Sequence, residues 1–309
     1  MSRAEDRRVA DSLPTSWVDR APAHIRPYLR LARYDRPIGY WLLGLPAWQG
    51  LALSRVETGF APIHLWYAVL FAIGAVAMRG AGCTYNDIVD RDLDAKVART
   101  ADRPIPAGTV SLKAAWGFLV AQCLVGLLVL VQLPPLAIGV GLASLGLVAA
   151  YPFMKRITWW PQAWLGLTFN WGVLVAYAAG AGEIGLPALL LYASGLFWTL
   201  GYDTIYACQD KEDDALIGVK SAALALGDRL RPALWGFYLV AAFLVAASAI
   251  AAGAGLVFAV GFAAYVAHLF GQLLRVDLAD GPSCLKTFKA NRDTGLILAA
   301  SFASAALLA

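Results

Sequence analysis

The sequence predicts an all-α, polytopic transmembrane bundle of about nine helices, and three observations predict it. Of the 309 residues, 60% are hydrophobic and only 15% charged, against about 45–50% and about 25% in soluble domains. The apolar residues gather into stretches near the roughly 20 needed to cross a hydrocarbon core. The basic residues between those stretches fall on one side. Backbone groups in lipid must bond within their own segment, so these stretches are helices and not open strands. The short alternating segments of a transmembrane barrel are absent from the chain.

Taken in chain order, a polar, Arg-rich segment comes first, residues 1–36, with Arg3, Arg7, Arg8, Arg20, Arg26, Arg30, Arg33 and Arg36. It has no apolar core of a secretory signal, and Glu5, Asp6 and Asp11 argue against a mitochondrial transit peptide. Its stretch Ile25–Tyr34 reads as a short basic helix along the headgroups or as a solvated arm. Residues 37–309 read as one nine-helix domain. The spans lie near Pro37–Ser54, Leu65–Tyr85, Ala114–Gln132, Pro135–Met154, Pro161–Gly180, Leu186–Tyr206, Pro232–Ala252, Gly255–Leu274 and Thr294–Ala309. The connection after span two holds Arg91, Lys96, Arg99, Arg103 and Lys113, and that after span four Lys155 and Arg156. Span six is followed by Lys211, Lys220, Arg229 and Arg231, and span eight by Arg275, Lys286, Lys289 and Arg292. The alternate connections hold only Arg55. Positive-inside asymmetry therefore places the N-terminus and all of these basic loops in the cytoplasm. One missed span would scramble the alternation, so it also supports the count of nine.

Two acidic clusters sit at the cytoplasmic ends of even-numbered spans, in Asp-rich loops near 86–113 and 203–231. The first runs from Asn86 to Asp94 and the second from Asp203 to Asp214. At a constant offset of 120 positions, Asn86, Asp90 and Asp94 fall on Tyr206, Asp210 and Asp214. Polar residues spaced by four share one helix face, and the common offset marks an internal repeat. Carboxylates at a helix C-terminus face the negative end of its macrodipole, so something must neutralise them. A hard divalent cation held by oxygen ligands would do so. Mg²⁺ keeps its waters and bridges one or two carboxylates to substrate phosphates, which predicts a phosphorylated ligand at the clusters. A single acidic loop is usually just solvated; two at matched helix ends point to a site. Arg99, Arg103, Lys155 and Lys220 lie nearby on the same side and can donate to a diphosphate. A prenyl diphosphate, anionic at the head and lipid-like in the tail, fits this arrangement.

Arg79 lies inside span two, seven residues before Asn86. An intramembrane Arg is expensive and functional by default, and an acceptor bearing its own carboxylate would be a good counter-ion. Cys83, Cys123, Cys208 and Cys284 form no C-x-x-C pair, hence no disulfide framework and no zinc site. His268 reads as a hydrogen-bonded bundle residue rather than a proton relay, and most tryptophans as belt or packing residues. The pattern names membrane lipid as a partner and no nucleic acid.

These motifs resemble the UbiA superfamily of intramembrane prenyltransferases. The first fits its N-D-x-x-D-x-x-x-D signature through Asn86, Asp87, Asp90 and Asp94. The second fits D-x-x-Y-x-x-x-D-x-x-x-D through Asp203, Tyr206, Asp210 and Asp214. Three finer stretches resemble the branch that prenylates 4-hydroxybenzoate. They are Arg33-Tyr34-Asp35-Arg36-Pro37-Ile38-Gly39, Tyr151 to Arg156 with Pro161-Gln162, and Asp203 to Ala207 with Gly218-Val219-Lys220-Ser221. The resemblance implies that Asp90, Asp94, Asp210 and Asp214 hold Mg²⁺ on the diphosphate. It implies that Arg99, Arg103 and Lys155 bind diphosphate oxygens, assisted by Arg36 and Lys220. Asn86 and Asp203 would sit near the reacting centre, Tyr206 would bind substrate, Arg79 would face the acceptor carboxylate, and Asp87 would brace the loop. The implied reaction transfers a polyprenyl group from polyprenyl diphosphate to the carbon ortho to the hydroxyl of 4-hydroxybenzoate, in ubiquinone biosynthesis. The acidic residues of the N-terminal segment point to a bacterial inner membrane as the setting, with the mitochondrial inner membrane as the alternative. Competing readings are a homogentisate- or dihydroxynaphthoate-type acceptor on the same scaffold, and an ion-coupled transporter. Transporter sites lie near the bilayer midplane, whereas these clusters lie at helix ends.

Overall fold

A computed structural model describes residues 12, 15–95, 100–211 and 218–309, with Asp210 described in its backbone only. The helices are α1 (Arg26–Leu31), α2 (Ile38–Leu53), α3 (Pro62–Asp94), α4 (Leu112–Leu130), α5 (Pro135–Ile157), α6 (Pro161–Phe169) and α7 (Trp171–Ala181). They continue as α8 (Leu186–Ala207), α9 (Ala222–Leu226), α10 (Leu230–Ala251), α11 (Leu256–Arg275) and α12 (Gly281–Leu307). Among the described residues there is no strand. Among the described residues, five segments are long and apolar enough by themselves to cross a membrane: Pro62–Asp94, Leu112–Leu130, Pro135–Ile157, Ala222–Ala251 and Leu256–Arg275. Each of the nine expected spans coincides with helix.

Two differences from expectation matter. Helix α3 runs on to Asp94, so the first acidic cluster is helical and the loop begins only after it. Span five is two helices, broken at Asn170. The Asn170 amide donates to Gly166 O at 2.9 Å and to Thr199 Oγ1 at 2.9 Å. A side chain that takes backbone bonds for itself competes with the helix.

The chain divides into two compact units, Met1–Trp41 with Ala72–Gln132, and Leu42–Phe71 with Leu133–Ala309. In the first, buried Leu31, Ile88, Val110 and Ala115 form a core against which Tyr28, Ile105, Phe118 and Leu119 pack. The described residues 15–36 pack within this unit: α1 buries Leu31 completely. A Ser16 capping box opens a short turn over Trp17–Arg20, and Arg30 bonds back to Asp19 at 3.2 Å.

The second unit holds its helices close through small residues and cross-helix hydrogen bonds, the devices that replace hydrophobic drive inside lipid. A Cβ on Gly201 of α8 would meet the Tyr238 ring of α10. Ser194 and Ser248 donate across the same pair, to Ala241 O at 2.9 Å and Pro187 O at 2.8 Å. Fully buried Asn291 of α12 accepts from Trp198 Nε1 at 2.8 Å and donates to Gln272 Oε1 at 3.0 Å. Gln272 Nε2 reaches Thr294 Oγ1 at 2.7 Å, and His268 Nδ1 lies 2.8 Å from the same hydroxyl. His268 is thus a bundle hydrogen-bonding residue, as expected, and Trp198 is a packing residue.

Candidate active site

The first acidic motif occupies the last two turns of α3. Asp87, Asp90 and Asp94, spaced by three and four, form one stripe and are all buried, at 0%, 0% and 4% exposure. Arg91 and Asp92 on the opposite face are exposed, and Asn86 is half-buried at the margin. The inward column is therefore 87/90/94, with Asn86 flanking it, rather than the 86/90/94 column that four-residue spacing alone suggests.

Three buried carboxylates at the negative end of a helix need cations. Arg33 supplies one. Its Nη2 donates to both Asp87 oxygens, at 2.7 and 2.9 Å. Burial pushes the Arg33 guanidinium down, but the adjacent Asp87 carboxylate more than offsets this and holds it above its ordinary value. Arg103 supplies another: Nη1 lies 3.2 Å from Asp87 Oδ1 and 2.6 Å from Asp94 Oδ2. One guanidinium thus ties the two ends of the stripe. Arg36, expected at the diphosphate, lies against Asp35, at 3.3 Å from Nη2, and Asp35 also accepts from Ser12 Oγ at 2.5 Å.

The chain presents Arg103 through a tight loop over residues 100–111. Thr100 Oγ1 donates to Asp94 O at 2.9 Å, which satisfies one orphan carbonyl of α3. Ala107 N bonds Arg103 O, Val110 N bonds Pro104 O, and Ser111 Oγ caps α4 by accepting from Ala114 N. Gly108 takes the left-handed turn with φ +72°. Ile105 and Val110 then anchor the loop in the unit's core. The role of Asp87 as a brace for this loop agrees with that geometry.

Arg79 lies two turns deeper on α3, half-buried. A Cβ added at Gly39 would fall 2.3 Å from Arg79 Nε and 2.9 Å from Cζ. The glycine that ends the Arg33–Gly39 stretch is thus the space in which the Arg79 guanidinium lies.

In the second unit, Asp203 and Tyr206 are half-buried on α8, and the Tyr206 ring packs on Phe288 with centroids 4.5 Å apart. The helix stops at Ala207 and tightens into a 3₁₀ turn over Cys208–Asp210. Cys208 Sγ and Gln209 Nε2 take the carbonyls of Thr204 and Tyr206, at 3.3 and 3.1 Å. The two repeats therefore differ: α3 stays α-helical through Asp94, whereas α8 ends at Ala207, before Asp210. Lys155 lies in the last turn of α5, and its carbonyl accepts from Lys220 N at 3.2 Å. The Lys220 ammonium donates to Ile157 O at 3.2 Å and lies 5.8 Å from the Trp159 ring centroid. Gln162 Oε1 accepts from Ala222 N at 3.0 Å. The end of α5 and Gln162 thus hold the chain over residues 220–222. Arg99 and Asp214 lie outside the described residues, as does the Asp210 side chain.

Among the described residues, no three His, Cys, Asp or Glu side chains converge as a ready metal cage. The donor set nevertheless fits Mg²⁺. Asp90 and Asp94 offer hard oxygens one turn apart on a buried face, and Mg²⁺ is ordinarily held by one or two carboxylates with the remainder from water and substrate phosphate.

A model of the UbiA prenyltransferase family matches residues 44–300. The chain belongs to the UbiA prenyltransferase family. Relatives within it agree over nearly the full length. The chain is 47% identical over 283 residues to the "4-hydroxybenzoate polyprenyltransferase, mitochondrial" of Rattus norvegicus, covering 91% of this chain and 75% of that protein. The protein of the same name from Arabidopsis thaliana is 43% identical over 301 residues, covering 96% of this chain and 74% of its own length. Among solved structures, the apo UbiA homologue from Aeropyrum pernix K1 superposes with a TM-score of 0.72 at 28% identity, covering 85% and 97% of the two chains. The UbiA homologue from Archaeoglobus fulgidus bound to GPP and Mg²⁺ shares the fold, with a TM-score of 0.68 at 20% identity and coverage of 92% and 100%. Family membership removes the transporter alternative. Within this UbiA fold, sequence reasoning missed Arg33 and Gly39 as individual residues. Both stand in the Arg33–Gly39 stretch, whose signature is the run as a whole and singles out neither residue.

Proposed function

We propose that this chain transfers the polyprenyl group of a polyprenyl diphosphate to the ring carbon ortho to the hydroxyl of 4-hydroxybenzoate, releasing diphosphate, as a step of ubiquinone biosynthesis. The observation that carries the reading is the 47% identity, across 91% of the chain, with a relative of that name. Asp90 and Asp94, with Asp210 and Asp214 of the second motif, would hold Mg²⁺. When bound, the ion stabilises the negative charge that develops on the departing diphosphate. Arg103, Arg99 and Lys155 would donate to phosphate oxygens, assisted by Arg36 and Lys220. The C1–O bond of the prenyl diphosphate breaks as the ring carbon bonds to C1. The ring proton passes to a carboxylate, water or diphosphate oxygen. Asn86, Asp203 and Tyr206 line the reacting centre, and apolar surroundings limit capture of the allylic cation by water. The setting is an inner membrane, and the mitochondrial names of the relatives favour the mitochondrial alternative over the bacterial one.

Membranes carrying this chain, given radiolabelled prenyl diphosphate and 4-hydroxybenzoate, should form ring-prenylated product only when Mg²⁺ is present. Label released or transferred with a different aromatic acceptor alone would overturn the acceptor. Arg79→Ala should raise the KM for 4-hydroxybenzoate roughly 10–100-fold, the worth of a charged hydrogen bond, and leave the KM for prenyl diphosphate unchanged. Gly39→Ala should act in the same direction without unfolding the protein, because the atom it meets is the mobile end of Arg79. Equal changes in both KM values would exclude an acceptor role for Arg79.

A further inference from the structure

Arg33 is the single described residue other than glycine with a positive φ, at +62°. It stands just past the end of α1, where its N–H bonds Arg30 O at 3.0 Å and the Tyr34 N–H bonds Leu29 O at 3.0 Å. These two bonds define a Schellman cap, whose left-handed position is normally glycine. A side chain there is strained by about 1–2 kcal/mol. Strain of this kind persists where surrounding contacts over-determine it, and it gathers at functional sites. The surrounding contacts are visible: Arg33 Nη1 reaches back to Arg30 O at 3.2 Å, and Nη2 forks onto both oxygens of fully buried Asp87. Asp87 in turn shares Arg103 Nη1 with Asp94. Arg33, Asp87, Arg103 and Asp94 thus form a continuous relay of charge-assisted bonds.

We infer that Arg33 is a positioning residue, which acts through Asp87 to set Arg103 against Asp94 and so orients the metal-facing end of the first aspartate motif. The inference rests on the proposed Mg²⁺-dependent transfer. Without Arg33, the buried Asp87 charge draws Arg103 toward itself. Asp94 then loses the 2.6 Å bond that fixes its rotamer. Groups that orient a metal ligand are commonly worth about 10–100-fold in metal affinity. A bare charge effect has the opposite sign, because deleting a cation beside carboxylates strengthens their hold on Mg²⁺. The two explanations are therefore separable by direction.

The test is binding of a non-transferable prenyl thiodiphosphate to the purified full chain as Mg²⁺ is titrated, which reads the site without turnover. Arg33→Gly is the informative variant, because glycine keeps the left-handed cap without strain and removes only the guanidinium. Its half-saturating Mg²⁺ concentration should rise about tenfold. Arg33→Lys should recover part of that loss. In an Asp87→Asn background, Arg33→Gly should add nothing, since a residue that acts only through Asp87 has no further route. An unchanged or lowered Mg²⁺ midpoint in Arg33→Gly would overturn the inference, as would effects of the two substitutions that multiply. Wild-type binding indifferent to Mg²⁺ would overturn the functional reading itself, and the role of Arg33 with it.

Discussion

Alanine at Asp90 should reduce prenyl transfer by about a thousandfold or more while the protein still folds. That factor corresponds to about 4 kcal/mol of lost transition-state stabilisation, the scale expected for a carboxylate that holds the charge-neutralising ion. Asp90 is the middle member of the buried stripe and is wholly inaccessible. The ion pairs of its neighbours, Arg33 with Asp87 and Arg103 with Asp87 and Asp94, survive its removal, so α3 and the loop over 100–111 should keep their places. Asp90→Asn is the companion variant, since it preserves shape and removes charge; it should be nearly as inactive. Asp210→Ala, at the matching position of the second motif, should fall as far. Initial rates at saturating substrates, with melting midpoints of the same preparations, decide the matter. Near-full turnover in Asp90→Ala would remove Asp90 from the metal site. A midpoint lowered in step with the rate would make its role structural.

Gly50→Ala should destabilise the protein more than any other single methyl addition named here. A Cβ at position 50 of α2 would stand 2.4 Å from Val173 O, 2.8 Å from its Cα and 2.9 Å from its carbonyl carbon on α7. These are backbone atoms, so no rotamer change relieves the clash and the two helices must move apart. The contact is mutual, because a Cβ on Gly172 of α7 would come within 3.2 Å of Ala47 Cβ. Ala176, next along the α7 face, is fully buried. Small residues on both partners allow this approach, and dispersion between them supplies the attraction. Overpacking of this kind costs about 3 kcal/mol, which lowers the melting midpoint by roughly 6–12 °C. Gly117→Ala on α4 is the control: nothing lies within 4 Å of its Cβ, and alanine is the better helix former. A Gly50→Ala midpoint within a degree of that control would mean that α2 and α7 are not in close backbone contact.

The sequence by itself determined the class of the molecule, the places of its helices and the two aspartate motifs. Those properties are carried by local composition and spacing: apolar length, clusters of Lys and Arg, and carboxylates one turn apart. Asp90, Asp94, Arg79 and Arg103 were legible for that reason. Tertiary structure alone decided which carboxylate each cation meets. Arg33 and Asp87 are 54 positions apart, and nothing local in either segment encodes the pairing. It also decided that Asp87 shares the inward stripe with Asp90 and Asp94, because four-residue spacing names a helix face without saying which neighbour covers it. Gly39 and Gly50 belong to the same class. Each is a glycine because of an atom on another helix, Arg79 Nε in one case and Val173 O in the other, and an absent side chain leaves no periodic signal. The break at Asn170 was hidden likewise, since its amide is drawn out of the helix by Thr199, a residue of α8. Periodicity reports what a segment must bury, and only packing reports against what.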